Sequence, residues 1–317
     1  MRALITGVGG FCGAHLVSRL RYEDNTMIAG LDRMPEPPPH VSLDRYFEAD
    51  ITEANGLSFA LRAFRPDFVF HLAGLSGNSV SATCIYEVNV TGTVRLLDAV
   101  RCHAPDCNVL LVGSAAEYGP VDADALPAKE EMPCHPVGPY AISKYAATLI
   151  GLDYARRLGL KVVVVRPSNI VGPGVPTSLV VGALIARAKE ALASSHPVVK
   201  VGDSDSERDF IAVSDAVDAY VRLAQAGFRG EIFNICFGRA YSIRRIAEIL
   251  LSNASRPITL QLDPDLVPPS PIRCFYGSYE KAAEAIGFRP SASLEKMLKA
   301  AWVSEMGVSL ACASRCS

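Results

Sequence analysis

No uninterrupted apolar run in the 317 residues approaches the roughly 18 that a membrane-spanning helix needs, so no membrane segment is expected. A basic tract is missing as well. The 31 Lys and Arg and 33 Asp and Glu, for a formal charge of −2, are spread along the chain, which excludes nucleic acid as a main partner. Aromatics are scarce, with a single Trp. No repeated Cys/His spacing occurs: Cys102 and Cys107 flank His103, and Cys312 and Cys316 lie near the end, but neither pair completes a four-ligand zinc pattern. We therefore expect no metal and read the nine cysteines as reduced thiols that act as small core hydrophobes. Met1-Arg2 runs straight into Ala3-Leu4-Ile5-Thr6 without a leader, from which a cytoplasmic location is expected. There is no internal repeat. Half of the residues are hydrophobic, enough for one large core and a smaller lobe.

Short β-branched runs alternate with helix-length amphipathic segments over the first half. The runs at Ala3 to Thr6, Met27 to Leu31, Phe68 to Leu72, Val109 to Gly113 and Val162 to Val165 predict strands. Between them, Ala14 to Arg21, Gly56 to Phe64, Tyr86 to Arg101 and Ala141 to Leu158 predict helices. The alternation predicts an α/β fold, a Rossmann-type doubly wound parallel sheet that binds ligands at the carboxyl ends of its strands. Residues 1–166 form the expected dinucleotide-binding domain, with pieces around 208–250 returning to it. Residues 167–307 form mainly a smaller C-terminal substrate-binding lobe, with a helix from Leu179 to Ala193, and 308–317 a frayed tail.

Gly7-Val8-Gly9-Gly10-Phe11-Cys12-Gly13 joins the first strand to the first helix. Glycines Gly7, Gly10 and Gly13 allow a tight turn, close approach of backbone to a pyrophosphate and contact of helix with strand. Phe11 sits inside this loop. Asp32 ends the second strand nineteen residues after Gly13, where a carboxylate accepts hydrogen bonds from adenosine ribose and favours NAD. Arg33 follows directly and suits the 2′-phosphate of NADP, so both cofactors stay open, with NAD slightly favoured. Asp50 and Ile51 are placed at the adenine edge, and Leu72 and Ala73 at the cofactor's rim. His71 reads as a packed, satisfied histidine.

Tyr140 and Lys144, spaced i and i+4, share one helix face. An ammonium beside a phenol favours phenolate, so Lys144 is expected to lower the Tyr140 pKa. Ser114 stands at the end of the strand Val109 to Gly113, on the same sheet edge as the glycine loop, where its hydroxyl can hold a substrate oxygen beside Tyr140.

This ordered set resembles the extended short-chain dehydrogenase/reductase family, its nucleotide-sugar epimerases, dehydratases and reductases, from Gly7 to about Trp302. The resemblance includes Asn89-Val90-Thr91-Gly92-Thr93, Ser114 to Gly119, the Tyr140 and Lys144 pair, Arg166 to Gly174 and Arg208 to Asp215. It implies Ser114, Tyr140 and Lys144 as catalytic residues, with the last two also on the cofactor. Asn169 is placed at the substrate's phosphate region and Arg208 on its diphosphate. Lys200 to Asp203 and the Ser114 to Gly119 segment are most similar to GDP-6-deoxy-D-mannose reductases. That implies NAD(P)-dependent reduction of a 4-keto-6-deoxy nucleotide sugar, the alternatives being a NAD-retaining 4-epimerase and, behind it, a non-catalytic cofactor-binding module. The family's 4,6-dehydratases carry an Asp and Glu pair after the catalytic hydroxyl; here Ala115 and Ala116 stand there, and Glu117 follows. Many relatives place a diphosphate-binding arginine where Pro268 occurs, with Arg273 as the candidate substitute. A homodimer is expected from Leu96, Leu97, Ala146, Ala147, Leu149 and Ile150, which give two helices a second apolar face.

Overall fold

The computed structural model describes residues 1–39, 41–77, 80–266 and 272–307. Pro268 and the tail 308–317 lie outside the described residues. Aliphatic runs covered on both faces form β1 (Arg2–Thr6), β2 (Met27–Asp32), β4 (Phe68–His71), β5 (Asn108–Val112) and β6 (Lys161–Pro167), and β3 (Arg45–Glu48) adds a short edge strand. They alternate with α1 (Phe11–Leu20), α2 (Ala54–Phe64), α3 (Ala82–Tyr86), α4 (Gly92–His103) and α5 (Gly138–Leu158). Then come β7 (Asn169–Val171), α6 (Val180–Ala191), β8 (Val198–Val201), β9 (Glu207–Ala212), α7 (Val213–Ala226) and β10 (Glu231–Ile235). The last are β11 (Ala240–Ser242), α8 (Ile243–Leu251), β12 (Thr259–Leu262), β13 (Cys274–Phe275), α9 (Glu280–Ile286) and α10 (Leu294–Met306).

Seven strands make one sheet in the order β10-β6-β5-β4-β1-β2-β3, every neighbouring pair parallel. The chain reverses its winding direction between β1 and β4, the point at which a doubly wound sheet opens a crevice beyond its carboxyl ends. One apolar layer, with Leu16, Val17, Val217 and Tyr220, covers one face of the sheet; another, with Leu57, Leu61, Leu97 and Val100, covers the other. A third core gathers α6, α8 and α10 over β8 and β9, with Trp302 inside it. β9 is paired by β7, β11 and β13, so the lobe is laced together from segments far apart in the chain. Among the described residues no helix is long and apolar enough to cross a membrane, and the seven described cysteines are free thiols.

Three features depart from the sequence expectation. Strand β3 is absent from it: four residues with one buried side chain, Phe47, at the sheet edge carry too little periodicity to be recognised. The helix expected from Tyr86 to Arg101 is interrupted by a π-helical turn, Glu87–Thr91. That turn buries Asn89, which takes the Leu75 amide (2.7 Å) on its carbonyl and donates to the Leu75 carbonyl (2.9 Å) and the Ser143 hydroxyl (2.9 Å). Finally, Leu96 and Leu97, expected on a partner-facing surface, are 0% exposed in the sheet's apolar layer. Tyr86, Ile142 and Leu149 are among the exposed apolar side chains of that region.

His71 at the end of β4 is buried with both ring nitrogens bonded. The Thr93 hydroxyl donates to the Asn89 carbonyl (2.6 Å), so at 3.1 Å it accepts from Nε2–H, and Nδ1 accepts from Thr6 (2.7 Å). The ring is thus neutral, and burial takes its pKa from 6.5 down to about 3. Over that window the unfolded chain binds a proton that the folded chain refuses. Its contribution is complete above pH 6.5 and is lost progressively as pH falls toward 3. Urea midpoints are expected to drop between neutral pH and about pH 5, with His71→Gln flattening that slope. Leu97→Ala is expected to cost about 2–5 kcal/mol in the same denaturation assay, as a core truncation does.

Candidate active site

Two backbone contacts shape the floor of the crevice. Gly7 has φ +70, and a Cβ on it would meet the Ala73 amide nitrogen at 2.7 Å. On Gly13 a Cβ would lie 2.3 Å from the Val8 carbonyl oxygen, so α1 starts hard against the loop. Side chains are excluded at both positions by sterics, and the α1 N-terminus is left facing the opening, an arrangement that suits a pyrophosphate. Asp32 accepts the Gly9 amide at 2.9 Å and so closes the loop from the end of β2.

A cleft of about 470 Å³ lies above the glycine loop, between the large sheet and the lobe. Of the residues singled out from sequence, Gly7, Gly10, Phe11, Gly13, Leu72, Ser114, Tyr140, Lys144, Asn169 and Arg208 line it. Asp32, Arg33, Asp50, Ile51, Ala73 and Arg273 do not. Asp50 follows β3, where the Thr52 amide and hydroxyl, and then Arg33 and Arg95, hold its carboxyl below the usual range. Ile51 is buried against Gly92 at the head of α4. The Arg273 side chain is exposed; its carbonyl accepts the Glu207 amide (2.8 Å) and an Arg208 N–H (3.4 Å). Among the described residues the charged side chains lining the cleft are Lys144 and Arg208, and no carboxylate lines it.

Ser114 caps a short 3₁₀ turn, Ala115–Tyr118, directly after β5. Its Oγ accepts the Ala116 amide at 3.1 Å, and Ser114 lines the cleft together with Tyr140, which projects from the first turn of α5. The Lys144 ammonium is nearly buried, and donates to the Val112 carbonyl at 2.9 Å; burial lowers its pKa to about 8. Tyr140 departs from the sequence expectation: its pKa is raised, not lowered. Desolvation by burial is the main cause, the Ser114 hydrogen bond opposes it, and the negative field of Glu117 adds to it. With burial dominant, the phenol stays protonated at neutral pH, the form a proton donor requires.

Glu117 points away from the cleft. It is fully buried and pairs with Arg166 of β6 at 2.8 Å, Nε to Oε2. Arg166 in turn lies over the Tyr118 ring, whose hydroxyl donates to Asn234 of β10 at 2.7 Å. On the lobe side, buried Asp209 accepts Ser168 (2.8 Å) and the Phe237 and Gly238 amides (2.9 and 2.8 Å), while its carbonyl takes the Asn169 amide group at 2.8 Å. Arg208, its neighbour on β9, donates to the carbonyls of Glu207 and Ile272 at 2.8 Å each. Ser76, Ser178 and Phe275 also line the cleft without having been expected there. Phe275 arrives only because β13 pairs with β9, a contact that no local pattern announces.

The sequence profile of the NAD dependent epimerase/dehydratase family matches residues 3–236. The chain is 33% identical over 305 residues to GDP-6-deoxy-D-mannose reductase of Pseudomonas aeruginosa, covering 94% of this chain and 95% of that protein. It superposes with a TM-score of 0.81 at 30% identity on the structure of RMD from Pseudomonas aeruginosa complexed with NADPH, over 96% of this chain and 98% of that one. UDP-glucose 4-epimerase of Thermus thermophilus in complex with NAD gives 0.85 at 26% identity, over 97% and 100%. With that extent of match, a glycine cradle beyond β1 and the Ser114, Tyr140 and Lys144 cluster at the same sheet edge, the chain belongs to the NAD dependent epimerase/dehydratase family.

Proposed function

We propose that this protein reduces the 4-keto group of a 6-deoxy sugar carried on a nucleoside diphosphate, using NADH or NADPH. One observation carries the reading: Tyr140, its pKa raised by burial, lies with Ser114 in a cleft whose charged lining among the described residues is Lys144 and Arg208 without a carboxylate. Proton delivery to a carbonyl oxygen needs a donor that still carries its proton; holding a diphosphate needs fixed positive charge. Elimination of water across C5 and C6 would need an acid and a base beside Ser114, where Ala115 and Ala116 stand. The similarity to GDP-6-deoxy-D-mannose reductase supports the choice of substrate.

In this reading Ser114 donates to the substrate carbonyl and polarises it, and Tyr140 delivers the proton to that oxygen. Lys144 holds the nicotinamide ribose, and Arg208 with Asn169 holds the diphosphate region. The glycine loop and Phe11 hold the dinucleotide's pyrophosphate end, with Asp50, Ile51, Leu72 and Ala73 framing its adenine side and rim. The dinucleotide, when bound, supplies the hydride. Asp32 favours NAD slightly at the ribose, while Arg33 leaves NADP open. Arg273, exposed outside the cleft, is the minor of the two arginines. We read the enzyme as a cytoplasmic homodimer that covers Tyr86, Ile142 and Leu149. The similarity to a 4-epimerase bound to NAD supports a second reading, in which the same residues move a proton in both directions and NAD is retained.

Purified protein is expected to consume NADH or NADPH, followed at 340 nm, when given a GDP-linked 4-keto-6-deoxy hexose. Retained NAD with interconversion of C4 epimers and no net absorbance change would select the epimerase. No turnover of GDP-, UDP- or dTDP-linked 4-keto sugars would overturn the reduction. Tyr140→Phe is expected to lower kcat by about 10²- to 10⁴-fold with little change in dinucleotide affinity. Arg208→Ala is expected to raise KM steeply, a loss of about 2–5 kcal/mol in kcat/KM, and Arg273→Ala to cost clearly less. Equal, small effects of the two arginine changes would remove the diphosphate from the substrate.

A further inference from the structure

We propose that Glu117 is a positioning residue for the proton-donor pair, its carboxylate acting as a strut that holds Ser114 at a set distance from the helix carrying Tyr140 and Lys144. The inference rests on the catalytic reading above and adds a residue that does not touch the cleft.

Three segments meet on this carboxylate. Oε1 accepts the Ser114 backbone amide at 2.8 Å, so it holds the residue that lines the cleft beside Tyr140. The same oxygen accepts the Thr148 hydroxyl at 3.1 Å. Tyr140, Lys144 and Thr148 are spaced i, i+4 and i+8 along α5 and therefore share one face, which makes Thr148 the anchor of the helix that presents the other two. Oε2 takes Arg166 of β6 at 2.8 Å, so the carboxylate is fixed from its far side as well. Shape points the same way: a Cβ on Gly113 would lie 2.3 Å from Oε1, so the backbone there is pared to glycine to admit the carboxylate. A buried ion pair gives little net stability over apolar side chains of the same size, so its presence beneath Ser114 is better explained by the geometry that it imposes.

The charge has a separate consequence. Tyr140 is faced by Cys12 of α1, Tyr220 of α7 and Glu117, with Lys144 one turn along its own helix and Arg166 behind Glu117. Of these, Glu117 raises the pKa of Tyr140 and also that of Lys144. Loss of its charge lowers both, so the alkaline limb of kcat, where the donor loses its proton, moves to lower pH.

The test uses Glu117→Gln, which removes the charge, and Thr148→Val, which cuts only the bond to α5 and keeps the Arg166 pair. Both are expected to lower kcat for the keto sugar by about 10- to 100-fold with KM for sugar and dinucleotide little changed, the signature of misplaced groups. Glu117→Gln is also expected to shift the alkaline limb to lower pH, and Glu117→Asp to restore part of kcat. Because Glu117→Gln strands Arg166, Glu117→Val with Arg166→Met serves as the well-packed control and is expected to fold while keeping the low kcat. Unchanged kcat in Thr148→Val, or a kcat loss in all variants that tracks the folded fraction with no shift of the limb, would overturn the proposal. If the wild type turns over no keto sugar, the catalytic reading fails by itself. Crystal structures of Glu117→Gln and Thr148→Val then test the strut separately: a changed separation of Ser114 from Tyr140 supports it, and an unchanged one overturns it.

Discussion

Parallel pairing of all seven strands is the constraint from which the rest of this structure follows. Because each strand enters the sheet in the same direction, every βα connection emerges at one edge, and the residues after β1, β4, β5 and β6 meet although up to 160 positions separate them in sequence. The pairing of Thr6 with His71 shows the scale of the effect: the two ends stand level, and their side chains share a 2.7 Å hydrogen bond. The reversal between β1 and β4 then parts the loops, and the glycine cradle occupies the gap.

Polar burial beneath the cleft organises its two walls differently. Under Ser114 the Glu117 and Arg166 pair is completed by Thr148 and by the stacking of Arg166 on Tyr118, so each buried charge finds several partners. Under Arg208 the carboxylate of Asp209 is met by a hydroxyl and main-chain amides, with no cation among its donors in the described residues, and burial pushes its pKa up. Both devices add side-chain bonds to segments that backbone pairing already holds side by side, β5 with β6 and β7 with β9. The two walls of the cleft are thereby each stiffened by a carboxylate that does not line it.

Local features of the chain were legible because their physics is local. A helix repeats every 3.6 residues, so Tyr140 and Lys144 had to share a face; a glycine loop after an apolar run had to turn tightly; Ala115 and Ala116 could carry no proton wherever they were placed. Edge strand β3 was too short for its periodicity to register, and the π-helical turn at Glu87–Thr91 has no compositional mark, since it exists to bring Asn89 onto Leu75 and Ser143. Leu96 and Leu97 read equally well as core or interface, for an apolar side chain specifies burial and not the surface against which it is buried.

By itself the sequence determined the fold class, the glycine loop after β1 and the position of Ser114, Tyr140 and Lys144 at one sheet edge. Only the tertiary structure decided which way Glu117 points, that Arg208 lines the cleft while Arg273 lies outside it, and that the Tyr140 phenol keeps its proton. The reason is the same in each case. Spacing along a chain sets which residues share a face, whereas desolvation and the choice of an ion-pair partner depend on segments that come together only when the sheet and the lobe close over them.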